Sequence, residues 1–146
     1  MSNPMLFNTL KVDTAAINEG RAVPFPGADK VTKIVPEVTV RGYTDDFINA
    51  RNAARRALAD KYDGDWQSAP NEEVRQMNAR LLKDHIVTGI SGLFNGPGPE
   101  ENPVTLEQFT AALADPVYAK YADICWQAAA KVTQDAEKQR AEAEGN

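Results

Sequence analysis

Residues 81–132, LLKDHIVTGISGLFNGPGPEENPVTLEQFTAALADPVYAKYADICWQAAAKV, decide how this chain folds. They read as the end of one helix, a Gly/Pro-punctuated connector, a capped short helix and a long closing helix. Thr105-Leu106-Glu107-Gln108 is a capping box, in which Gln108 reaches back to the Thr105 N–H while Thr105 accepts from the Gln108 backbone. The helix it opens is expected to carry Leu106, Phe109, Ala112 and Leu113 inward. Asp115-Pro116 restarts the chain, with Asp as cap and Pro at the first helical position, where a missing N–H costs nothing. In the closing helix Val117, Tyr121, Ile124, Cys125, Ala128 and Val132 share one stripe. Trp126 falls off it, and so belongs either to a second buried face or to an exposed contact. Gly89 is expected as a left-handed cap on the preceding helix. Ile90, Leu93 and Phe94 then cover the core from the connector, and Asn95-Gly96-Pro97-Gly98-Pro99 makes an exposed turn. All these signals concern packing and turning, and none is arranged for chemistry.

Upstream, Asn71 is expected to cap a helix bearing Val74, Met77, Asn78, Leu81, Leu82 and Ile86 at helical spacing, with Glu72 and Glu73 at its positive end. An earlier helix, capped by Thr44 or Asp45 and ending before Asp63-Gly64, aligns Phe47, Ala50, Ala54, Leu58 and Tyr62. Arg51, Arg55, Arg56 and Lys61 gather on one side of it. They read either as a docking patch for an acidic partner or as a solvated face paired with Asp45, Asp46 and Asp60. Trp66, in the following turn, is expected to pin that loop onto the core. Residues 1–43 lack helical periodicity. Pro4, Pro24, Pro26 and Pro36 divide them into short β-prone pieces, Arg21 to Phe25, Lys30 to Val35 and Glu37 to Arg41. In the last, Val38 and Val40 face one way and Glu37, Thr39 and Arg41 the other.

The expected architecture is therefore α+β and mostly α. A small N-terminal antiparallel β element in residues 1–43 is followed, in 44–132, by a bundle of about four helices, all in one domain. The polar sequence from 133 to 146 should fray or be disordered. A net charge of -5 argues against nucleic acid as the main partner, which clustered Lys and Arg would attract. No apolar run approaches the roughly 20 residues of a membrane span, and the N-terminus lacks a signal-peptide pattern. A single cysteine, Cys125, excludes an internal disulfide and suits a reducing compartment.

Cys125 with His85 is the one thiol pairing available, but Cys125 sits mid-helix among apolar neighbours, where cysteine behaves as a small hydrophobe. His85 stands at a helix end, where it suits the last carbonyls. GISGLFNGPG matches no phosphate-loop spacing, and no lysine follows it. No metal-ligand spacing occurs and no cofactor is implied. The expectation is a non-enzymatic interaction protein.

The segment DHIVTGISGLFN…PVTLEQFTAALADP…YADICWQAAAKV resembles the tail assembly chaperones of long-tailed bacteriophages. The similar positions are Val87-Thr88-Gly89, Asn95 to Gly98, Pro103-Val104-Thr105-Leu106-Glu107 and Leu113-Ala114-Asp115-Pro116. Glu19 to Pro24 and Val38 to Tyr43 are similar to the short β region such proteins carry. Ile90 departs from the pattern, standing where that family commonly has an aromatic residue. The resemblance implies a chaperone that binds the tape measure protein, keeps its hydrophobic helices soluble, and recruits tail tube protein. It implies the host cytoplasm as location, absence from the mature virion, and in some cases a longer frameshifted product. A homo-oligomer is compatible with it. An apolar client groove is expected around Ile90, Leu93, Phe94, Phe109 and Trp126. Two other readings stay open: a structural tail or head–tail connector protein retained in the particle, and an acidic regulatory module.

Overall fold

The computed structural model describes residues 14–26, 34–96 and 102–145. The elements are α1 (Thr14–Glu19), β1 (Arg21–Pro24), β2 (Glu37–Val40), α2 (Asp45–Lys61), α3 (Asn71–Leu81), β3 (Val87–Ser91), α4 (Leu106–Ala112) and α5 (Ala119–Gly145). The fold is mostly helical with one small antiparallel sheet in the order β1-β2-β3. A six-residue α1 was not anticipated, since so short a helix shows no periodicity.

The sheet is where structure and expectation part. β1 and β2 lie in the anticipated N-terminal region, and Val38 and Val40 point inward with 0% exposure. Of the expected Lys30–Val35 piece, residues 30–33 lie outside the described residues, while Ile34 and Val35 form no strand. The third strand comes instead from the segment expected to close a helix and cross the domain. A π-helical turn, Leu82–Ile86, ends α3, and the Val87 N–H still bonds back to the Leu82 carbonyl. The chain then pairs with β2, placing Ile90 opposite Val38 and Gly89 opposite Thr39. Gly89 is thus a strand residue, not a left-handed cap. A Cβ there would meet Thr39 Cβ and Oγ1 at 3.3 Å, so glycine serves close strand approach. The left-handed residue is Gly92, at φ +80, packed on Pro36.

The helix signals are local and largely hold. Thr44 caps α2 by accepting from the Phe47 N–H at 3.0 Å. Both halves of the Thr105/Gln108 capping box are present on α4. Asp115 accepts from the Val117 N–H at 2.9 Å and starts a 3-10 turn, Pro116–Tyr118, that leads into α5. On α3, however, Asn71 is already helical. Pro70 holds the cap position with no side-chain bond, and Glu72 and Glu73 occupy the first turn as expected.

Phe47, Leu82, Ile86, Phe109, Cys125 and Val132 are fully buried with the two valines of β2. Each of the large ones contributes about 1.5–3 kcal/mol by leaving water. Two residues expected inward face out: Leu106 is 38% exposed and Val117 81%. Leu106 is the first residue of α4, a turn too early to meet the core, and Val117 sits in the 3-10 turn rather than on the α5 stripe.

α5 packs against β2 and α1, and helical structure continues through Gly145. The polar end expected from residue 133 is anchored in its first turn. Thr133 Oγ1 accepts from the Tyr43 N–H and donates to the Ala129 carbonyl, each at 2.9 Å. Asp135 takes a 2.6 Å bond from Arg21, and Ala136 is buried. Contacts from β1 and the β2–α2 link hold this turn, and those contacts have no local signature.

Candidate functional site

The recess closest to the expected site is built from the connector after β3. Beyond Gly92 the chain folds back on itself. The Val104 N–H donates to the Leu93 carbonyl at 2.9 Å, Phe94 bridges Pro103, and the Asn95 N–H donates to the Asn102 carbonyl at 2.8 Å. The Asn95 side-chain amide also donates to Gln108 Oε1 at 3.1 Å, tying the fold-back to the capping box of α4. Leu93, Phe94 and Val104 thereby become one wall of an open groove of about 610 Å³, whose other walls are Phe109 and Ala112 of α4 and Tyr118 and Tyr121 at the start of α5.

The groove floor is aromatic. Phe109, 2% exposed, meets Tyr121 at 5.7 Å between ring centroids in a tilted contact. Tyr121 in turn stacks on Tyr118 at 5.8 Å and meets Phe25 at 6.0 Å. Tyr118 is 42% exposed and stands at the rim with Asn95 and Gln108. Such a trench, apolar at the bottom with amides at its edge, suits the apolar stripe of an amphipathic segment.

Of the five residues expected to form a client surface, Leu93, Phe94 and Phe109 come together here. Ile90 lies in β3, half-buried against the core. Trp126 lies elsewhere: its ring tilts on Phe47 at 5.8 Å, and with Tyr43, Arg51, Arg55, Asn78 and Leu81 it lines a cleft of about 240 Å³ between α2, α3 and α5. Tyr118, Tyr121 and Val104 were missed as groove residues. Tyr121 was assigned to the core stripe, and the exposure of Tyr118 depends on a 3-10 turn that the Asp-Pro signal did not specify.

The Trp126 cleft carries charge. Arg51 lies over the Phe47 ring at 5.8 Å and Arg55 over the Trp66 ring at 4.5 Å. Trp66 therefore holds its loop through a guanidinium on α2 rather than by entering the core. Burial, then the neighbouring Arg51 charge, lowers the Arg55 pKa. The anticipated pairing with Asp45, Asp46 and Asp60 does not occur: among the described residues the ion pairs are Arg21–Asp135 and Lys131–Asp135.

Burial pushes the Cys125 thiol up to about 12. His85 lines a separate recess between α2 and α3. Among the described residues no group of three or more His, Cys, Asp or Glu is placed to hold a metal ion, and no helix is long and apolar enough to cross a membrane.

Residues 43–146, running from the start of α2 to the C-terminus, match the YdaY prophage protein family. The chain belongs to that family. It is accordingly a phage-derived protein, and both recesses are walled mainly by residues inside the matched region, Phe25 beneath Tyr121 being outside it. Neither the curated proteins nor the solved structures contain a match.

Proposed function

We propose that this prophage protein is a non-enzymatic tail assembly chaperone that binds the tape measure protein and assists polymerisation of tail tube protein. The observation that carries the reading is the open apolar groove between Phe94 and Tyr118, in a chain of phage origin whose connector and cap residues resemble that class. A tape measure protein is long and helical, and its apolar stripe needs cover until tube subunits surround it. A groove with Leu93 and Phe94 in its wall, Phe109 and Tyr121 at its floor and amides at its rim supplies such cover for one helix face. The chaperone would act in the host cytoplasm and leave before the virion is complete.

The test is affinity capture of the tagged protein from phage-producing cells, with bound proteins read by mass spectrometry beside the composition of purified virions. A very long helical phage protein recovered with tube subunits, and the chaperone missing from virions, is the expected outcome. Recovery of portal or connector proteins, with this chain present in virions, would replace the proposal with a structural role. Phe94→Asp should abolish capture while leaving far-UV circular dichroism unchanged.

A further inference from the structure

We propose that the cleft between α2, α3 and α5 seats an Asp or Glu side chain of a partner polypeptide between the guanidiniums of Arg51 and Arg55. This rests on a different surface from the groove and holds whether or not the groove binds a tape measure helix. Four arginines have a buried Nε with no hydrogen-bond partner, and two of them, Arg51 and Arg55, line this one cleft. They stand one helical turn apart on α2, an arrangement of like charges that opposes folding. Among the described residues neither has a carboxylate within ion-pair distance. Two like charges one turn apart gain from a carboxylate that accepts from both guanidiniums.

The surroundings fix the geometry such a ligand meets. Arg51 lies over the Phe47 ring and Arg55 over the Trp66 ring, contacts that reduce the side-chain freedom lost on binding. Trp126 and Tyr43 set aromatic rings beside the two guanidiniums. At about 240 Å³ the cleft has room for a carboxylate with its short alkyl stem. A polyanionic nucleic acid is disfavoured on charge, since two arginines face it from a chain of net charge -5. A protein carboxylate matches the size and the charge together.

The experiment follows the arginine Nε–H resonances of the whole protein by nitrogen-15 NMR. It is titrated with an Ala/Glu peptide of about 15 residues, near the shortest that is helical alone, with its Ala/Gln counterpart, and with inorganic phosphate. The Glu peptide should shift the Arg51 and Arg55 resonances and those of the Trp126 indole at concentrations at least about tenfold below those the Gln peptide needs, with binding weakened by salt. Arg51→Gln with Arg55→Gln should remove the Trp126 response. Equal effects of the Glu and Gln peptides, or unmoved Arg51 and Arg55 resonances in the intact protein, would overturn the proposal. So would phosphate saturating the cleft more readily than the peptide, which would make it a small-anion site.

Discussion

Two faces of α5 lead to two recesses of opposite character. Tyr121 opens onto the groove, and Trp126, five residues on and so about 140° around the helix, opens onto the arginine cleft. The groove is apolar, and its floor, Phe109, belongs to the core itself. The cleft has an aromatic lining and charged walls that are only half-buried. In the groove, shape comes from folding; in the cleft, what stands out is charge with no carboxylate partner among the described residues. The groove floor therefore cannot be altered without touching stability, whereas its rim and the cleft arginines can.

The largest test of that contrast is Phe109→Ala, which should cost about 3–5 kcal/mol in urea unfolding and remove the groove with it. At the rim, Tyr118→Asp should weaken client capture by about tenfold or more while stability stays within about 0.5 kcal/mol. If the same variant unfolded the protein, rim and floor would not be separable as claimed. Thr105→Ala removes one half of the capping box and should cost about 1 kcal/mol. Amide exchange should then quicken in α4 and in residues 93–95 and 102–104, which Gln108 ties to it through Asn95, but not in α2.

Titration gives smaller, signed effects. Cys125 keeps its proton in the folded state up to about 12, against 9.0 as its ordinary value. That contribution is intact below the unfolded pKa, so stability should decline as pH rises from 9 toward 12, and Cys125→Ala should flatten the decline. Asp135 behaves in the opposite sense. The Arg21 bond holds its carboxyl below the usual 3.8, so its contribution is present above that pH and is lost as pH falls through the lower folded value. On this surface-exposed pair the effect should be the smallest measured, and added salt should reduce it.

The parts of the fold legible in sequence are those whose cause is local. Thr44, Thr105 and Asp115 announce helix starts because a cap bonds only a few residues ahead. β3 was hidden because its partner, β2, lies far away in sequence, and a glycine beside β-branched residues reads equally as a helix stop. The anchoring of the turn just beyond Val132 was hidden for the same reason, since Arg21 and Tyr43 hold it. At the site, Leu93, Phe94 and Phe109 were visible as apolar residues around a connector. Trp126, off the stripe and so equally suited to a buried face or a contact, joins Phe47 in the other recess. The unpaired state of Arg51 and Arg55 required the positions of the surrounding carboxylates.

The most direct measurement places a photo-crosslinking amino acid at position 118, on the groove rim, in phage-producing cells. The account predicts a crosslink to a tape measure protein that Phe94→Asp abolishes. A crosslink to portal, connector or host protein instead, or a tape measure crosslink indifferent to Phe94→Asp, would contradict it.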